Sequence, residues 1–591
     1  MIMKRFLTLA ILAASCLWIA AQGTTEKSIP ADSSYKIGKL ENGLTYYIRH
    51  NTEPAGRASY YIIQNVGSIL EKDDQNGLAH FLEHMAFNGT THFPGKTLLS
   101  TLEKHGVAFG SDINAYTSWD QTVYNLSDVP VDKPGLIDTC LRILADWSDF
   151  LTLDESEIDK ERGVIVEEWR SRRNAQWRMM TQMLPVLFEG SMYAERDIIG
   201  DTAVIKNFRP ETLRQFYHDW YRTDLQAIAV VGDIDVDETE RKIKNIFSSI
   251  PGVENPMPRP ENLLVPKKGT RYLLVTDPEA SQTSVNLIII DSEPDKKARD
   301  LDYIRDGFVL SLMNRMMSTR FSEIVQKGTP PFISGSLDYD SFIARNYNAL
   351  TLAASTREGE EASGFEAALT ELERARRHGF TNGELTRAKA NMLSGFENLY
   401  KQRDKISNDN WASQIVDHFT TAEPIPSLDT QYDYYKEILP EITAEEVTER
   451  LRELITDDNR FILIQGPDDI GHLTEAEALA VIEKVNEAEI KPYEDITGGT
   501  DLISEKLTGA EIIKTITLPQ FGATEWTLSN GARVIFRHAD YEKDNVGISG
   551  YAMGGTSLYP DSLVPSLSLF PQIISMRSEE HTSELQSHLN L

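Results

Sequence analysis

His80-Phe81-Leu82-Glu83-His84 constrains this chain more than any other stretch. With about 100° per residue on a helical wheel, His80, Glu83, His84 and Phe87 share one sector, while Leu78, Phe81, Leu82 and Met85 take the other. A short helix with an apolar back and a polar front follows, so the chain must build a core behind it and keep its front open. Asn76-Gly77 upstream and Asn88-Gly89 downstream supply its start and stop. Imidazoles at i and i+4 can bind one metal ion, each through a neutral ring nitrogen. Two unrelated histidines near a glutamate would spell the same five letters, so the reading depends on a third ligand elsewhere.

The segment Asp154 to Trp169, DESEIDKERGVIVEEW, offers one. Asp154 followed by Glu157 has the pattern of a capping box, which would start a helix and carry Glu161 and Glu168 two turns apart on one face. Val164, Ile165 and Trp169 fall on the same side. Two carboxylates projecting from an apolar stripe would be costly without compensation, and a cation is the natural remedy. Glu157 and Glu167 point elsewhere and read as surface charges.

On these residues the chain resembles the pitrilysin/insulinase zinc peptidases, whose inverted H-x-x-E-H motif is followed downstream by a ligand glutamate in a stretch like ERGVIVEEW. The resemblance implies one Zn2+ per chain held by His80, His84 and Glu168, with Glu83 as general base and Glu161 supporting the site from behind. It extends to Ser111–Asn125, SDINAYTSWDQTVYN, which is similar to the family's substrate-binding edge strand and the strand after it. Asn114, Ala115, Tyr116 and Thr117 would then lie beside a bound peptide, held extended by backbone hydrogen bonds. Ala227 to Val231 followed by Gly232-Asp233 is a further family-like landmark. The implied fold is α+β, with tandem repeats of a pitrilysin-like domain in which helices pack a mostly antiparallel sheet. The implied activity is endopeptidase hydrolysis of peptides or small unfolded proteins. The alternative is a peptide-binding or assembly protein of the same fold with little chemistry, which would gain nothing from an inward-facing glutamate base.

Length and composition fit several soluble domains: 591 residues exceed what one core organises, and 41% hydrophobic content is ordinary. The first domain is expected over residues 35–251 and carries the metal motif. A linker at 252–270 follows, around Asn255-Pro256-Met257-Pro258-Arg259-Pro260. The second domain, 271–486, has no metal motif; Arg271 to Asp291 reads as one strand that alternates and then turns apolar, and His378, His418 and His472 are isolated. An acidic linker at 487–520 contains Gly498-Gly499.

After it the beginning repeats. Asn42-Gly43, Arg49-His50 and Gly67-Ser68 recur as Asn530-Gly531, Arg537-His538 and Gly555-Thr556, each at an offset of 488 (530 − 42). At that offset Ser568, Pro571 and Gln572 stand where His80, Glu83 and His84 do, so a third, incomplete repeat at 521–576 would lack ligands. The polar end 577–591, RSEEHTSELQSHLNL, reads as a non-native tail, which removes His581 and His588 from consideration. By the family pattern, a further C-terminal half or a partner chain would be needed to close a chamber.

The formal net charge of −31 argues against nucleic acid or an anionic membrane surface as partner. Lys4 and Arg5 followed by the apolar run Phe6 to Ala21 read as a signal peptide over residues 1–21, so the chain is expected to be exported, periplasmic or outer-membrane-associated. Cys16 after Ala13-Ala14-Ser15 leaves a lipid anchor as the alternative. Cys140, in PGLIDTCLRILADW, is expected to be a small buried residue.

Overall fold

The structure is a computed structural model and describes residues 28–295, 298–326, 328–495, 508–539 and 546–567. The expected signal peptide with Cys16, the pair Gly498-Gly499, the positions Ser568, Pro571 and Gln572, and the terminal tail lie outside the described residues. A large compact unit runs to Tyr493, and a smaller one takes the chain from Glu494 onward.

The large unit holds two sheets. The first contains β1 (Tyr35–Lys39), β2 (Thr45–His50), β3 (Arg57–Gln64), β4 (Ile113–Thr117), β5 (Thr122–Pro130) and β6 (Gln226–Gly232), in the order β1-β2-β6-β3-β5-β4. Its pairs are antiparallel except β2 with β6. β6, QAIAVVG, is buried from end to end, as a strand covered on both faces must be. Its side chains alternate: Ile228 and Val230 join the core with Phe81, Leu82 and Trp147, whereas Ala227, Ala229 and Val231 face the opposite way. That opposite face is covered by a helix from much later in the chain, Asn408–Thr421, through Trp411, Ala412, Ile415 and Val416. β4 forms one edge of the sheet.

The second sheet contains β7 (Thr270–Thr276), β8 (Thr283–Ile290), β9 (Ser334–Ser341), β10 (Asn348–Thr356) and β11 (Arg460–Gly466), ordered β7-β11-β8-β10-β9, again with one parallel pair, β7 with β11. Substituting β2 through β6 for β7 through β11 in chain order reproduces the first sheet without β1, so one topology is used twice. The single strand expected over Arg271 to Asp291 is in fact two. Asp277 accepts from the backbone N–H groups of Glu279, at its side chain, and of Ala280, at its carbonyl, closing a turn around Pro278 that a continuous strand could not contain. The Pro-rich stretch before β7 is irregular but anchored. Arg259 donates to the carbonyls of Asn65 and Asp120, and Lys267 to that of Glu189.

The small unit contains the antiparallel strands β12 (Ile512–Leu518), β13 (Ala523–Leu528) and β14 (Arg533–Phe536). β12 lies within the stretch expected as linker, because IIKTITL is rich in β-branched residues. The pairing Thr524↔Phe536 in β13 and β14 stands at the same offset of 488 (524 − 36) from Lys36↔Ile48 in β1 and β2. Among the described residues no helix is long and apolar enough to cross a membrane.

Candidate metal centre

The motif helix spans Leu78–Met85, and Leu78, Phe81, Leu82 and Met85 are buried beneath it. It begins at Gly77, whose φ of 99° suits glycine. A Cβ there would lie 2.7 Å from the Gly200 Cα, and one on Gly200, itself at φ 88°, would lie 2.3 Å from the Gly77 Cα. The two glycines therefore seat the helix start against the Ile199-Gly200 loop. A residue that sequence reasoning missed completes the start: buried Glu71 accepts from the backbone N–H groups of Gly77 (2.9 Å) and Ala79 (2.7 Å). These are donors that a helix N-terminus leaves without intrahelical partners. Burial pushes the Glu71 carboxyl up to about 8. Nothing in the local pattern flags Glu71, because it acts from outside the helix it caps.

Phe87 does not share the polar front. The helix ends before it, so helical spacing no longer applies, and its ring packs among Phe109, Tyr124 and Trp147.

The second helix, Glu155–Arg172, is capped by Asp154, whose side chain accepts from the Ser156 N–H. Glu157 does not complete a capping box; it pairs with Lys160 instead. The apolar stripe is also narrower than expected. Ile158, Ile165 and Val166 are buried, but Val164 is 51% exposed. On the wheel Val164 lies on the far side of Glu161 from Ile158 and Ile165, so Glu161 and Glu168 emerge at the border of the buried face.

Together the two helices bring His80, His84 and Glu168 to one point, with one ligand atom from each lying within 4.8 Å of the others. The Glu168 oxygens stand 3.7 Å from His80 Nε2 and 3.2 Å from His84 Nε2. Glu161 accepts from His84 Nδ1 at 2.8 Å, which leaves Nε2 as the nitrogen facing Glu168. Asn88 extends this chain beyond what the sequence suggested: its amide donates to Glu161 at 2.6 Å, and its carbonyl accepts from Lys96.

Burial, reinforced by repulsion from His84, drives the His80 imidazole down to about 3, so it is neutral and able to ligate. Burial also acts to lower His84, but hydrogen bonds to Glu161 and Glu168 outweigh it and raise the ring to about 9. The hydrogen bond from His84 lowers Glu168 to about 2. Glu83 is raised by burial, against a 2.5 Å hydrogen bond from the Thr117 hydroxyl. A divalent ion would displace the proton that His84 holds toward Glu168, and two neutral imidazoles and a carboxylate would then suit it, zinc above all, with a further coordination position open.

Of the predicted strand residues, Asn114, Ala115, Tyr116 and Thr117 all lie in edge strand β4. Thr117 reaches Glu83, Ala115 packs on the core, and Tyr116 is exposed. The later histidines join no metal-capable group among the described residues and serve in packing. His378 and His418 bond the carbonyls of Ile490 and Glu423, and buried His472 lies between the Glu361 carboxylate (2.6 Å) and the Pro467 carbonyl (2.6 Å).

A repeated α+β domain in which the first copy carries this cluster on two facing helices is the pattern of the inverted-motif metallopeptidases. Residues 46–195 match the family described as Insulinase (Peptidase family M16), and residues 207–392 match the Peptidase M16 inactive domain. The chain belongs to this family.

It is 32% identical over 533 residues to the zinc protease PQQL-like of Arabidopsis thaliana, covering 89% of this chain and 52% of that protein. It is 29% identical to the probable zinc protease PqqL of Escherichia coli K12, covering 90% and 57%. The crystal structure of the first half of the periplasmic protease PqqL from Escherichia coli superposes with a TM-score of 0.74 at 28% identity, covering 79% of this chain and all of that one. The chain thus spans about half the length of the curated relatives it matches.

Proposed function

We propose that the chain is the metal-bearing part of an exported zinc endopeptidase that hydrolyses peptides or small unfolded proteins. The observation that carries this is the convergence of His80, His84 and Glu168 within 4.8 Å beside the buried carboxylate of Glu83. One zinc ion per chain would be held by those three residues; bound there, it would acidify a water molecule and polarise the scissile carbonyl. Glu83 takes the proton of the attacking water at a carboxylate whose affinity burial has raised, then delivers it to the leaving amine. The Thr117 hydroxyl fixes the rotamer of Glu83 while its strand, β4, offers an open edge along which a peptide can add as a further strand. Glu161, held by Asn88, keeps His84 in the tautomer that ligates.

Export rests on the leader-like residues 1–21 and on the periplasmic location stated for the Escherichia coli relative. A lipid anchor at Cys16 is the variant of that reading, and a further half or partner chain would enclose the substrate.

The test is Glu83→Gln. We expect one zinc per chain to be retained and chelator-sensitive peptide hydrolysis to be abolished, whereas His80→Ala or Glu168→Ala loses the metal. Unaltered hydrolysis by Glu83→Gln would remove its role as base, and zinc binding without hydrolysis in a chain extended to the length of its relatives would favour a peptide-binding protein.

A further inference from the structure

The tip of the β4–β5 hairpin is gripped by a loop of the second domain. The turn between β9 and β10 places Ile343 at φ 46° and Asn346 at φ 63°, left-handed values that non-glycine residues adopt at a cost. This contortion delivers Arg345 into the first domain, where its side chain is only 11% exposed. Its guanidinium donates to Asn65 Oδ1 (2.5 Å) and Gln121 Oε1 (3.0 Å) and lies 3.6 Å from Asp120 Oδ1. Asp120 is itself held by Tyr193 (2.7 Å) and Arg259 (3.0 Å).

Arginine has donors and no acceptor, so the face Gln121 turns toward Arg345 must be its carbonyl oxygen. Its amide nitrogen is thereby committed to the opposite side, where it donates to the Tyr116 hydroxyl at 3.0 Å. That hydroxyl is left with a proton to give, and no described residue accepts it. Tyr116 is 46% exposed on edge strand β4. Side chains alternate along a strand, so Tyr116 stands on the sheet face opposite Thr117, away from Glu83. A peptide added to β4 would project alternate side chains onto the Tyr116 face.

We propose that Arg345 and Gln121 are positioning residues that present the Tyr116 hydroxyl as a hydrogen-bond donor, selecting a side chain that accepts a hydrogen bond over an apolar one in a peptide bound along β4. The second domain, which has no metal cluster among its described residues, thereby contributes to sequence preference. The inference rests on the peptide path proposed above.

The experiment measures binding rather than turnover. Fluorescently labelled peptides differing by Gln or Leu at one position in turn are titrated onto the zinc-loaded Glu83→Gln chain. A net hydrogen bond predicts one position at which Gln binds about three- to ten-fold tighter than Leu. Tyr116→Phe should bring that ratio to about one, and Gln121→Met and Arg345→Met should lower it in the same direction. Because the ratio compares two peptides on one protein, a partial loss of folded material leaves it unchanged, and Gln121→Met decides the matter if Arg345→Met does not fold. A flat ratio at every position, or a preference that survives Gln121→Met, overturns the proposal. Failure of the wild-type chain, extended to the length of its relatives, to cleave any peptide would instead strike the catalytic reading and leave this binding result standing.

Discussion

Gly200→Ala should damage a metal centre that it does not touch. A Cβ at position 200 would sit 2.3 Å from the Gly77 Cα, 2.6 Å from the Asn76 carbonyl oxygen and 2.8 Å from the Gly77 nitrogen. All three are backbone atoms, so no rotamer change relieves the overlap, and the loop and the helix start must part by about 1 Å to reach ordinary contact. Left-handed backbone costs a Cβ-bearing residue about 1–2 kcal/mol, and forced overlap in a packed interior about 1–3 kcal/mol more. We expect a total of about 2–5 kcal/mol, read as a drop in the urea midpoint. A fall in zinc affinity should accompany it, because His80 lies three residues beyond Gly77 on the displaced turn. Gly95→Ala is the internal comparison: its φ is 58°, yet nothing lies within 4 Å of its added Cβ, so it should show the backbone cost alone and bind zinc normally. Equal stability of the two variants, with unchanged zinc affinity in both, would refute the argument that the paired glycines seat the motif helix.

Three further outcomes follow from named contacts. Asn88→Ala removes the amide that holds Glu161 (2.6 Å) and should weaken zinc binding about 10- to 100-fold by calorimetry, with His80, His84 and Glu168 all intact. Glu71 has a folded-state pKa raised to about 8 from an ordinary value of 4.5, so between those values the folded chain holds a proton that the unfolded chain does not. The stability due to this group is therefore full below about pH 4.5 and lost as pH rises toward 8, by up to about 1.4 kcal/mol per pH unit; Glu71→Gln should flatten that slope in denaturation curves taken across the range. Trp411→Ala should cost about 3–5 kcal/mol by urea denaturation, since its ring is buried against the far face of the first sheet.

What the sequence disclosed and what it hid divide along physical lines. The shared faces within each helix, His80 with His84 and Glu161 with Glu168, were legible because periodicity reports such local geometry well, whereas the meeting of Glu168 with the two histidines was implied by the family resemblance and not by spacing. The same tool overreached at Phe87, where the helix had already ended, and at Val164, which lies on the outer flank of the face it was assigned to. Glu71, Asn88 with Lys96, the Gly77 and Gly200 pair, and Arg345 escaped altogether. Each acts across a long stretch of chain or from an irregular segment, and a pattern along one dimension does not reveal which turn will meet which helix. The particular partner of His472 was hidden for the same reason, Glu361 being more than a hundred residues away.

The helix Asn408–Thr421, which lies on the back of the first sheet, changes what can be cut from this chain. A fragment ending near residue 251 would keep every candidate ligand and yet leave Tyr47, Ile63, Val123, Ala229 and Val231 facing water on the flank of a six-stranded sheet. Such a surface invites association between copies. Excision at the Pro-rich connection is thus expected to yield insoluble protein, whereas a cut after the second sheet's last helix, Glu475–Glu487, retains the cover. The shortest soluble piece that binds metal is set by the back of the sheet and not by the reach of the ligands.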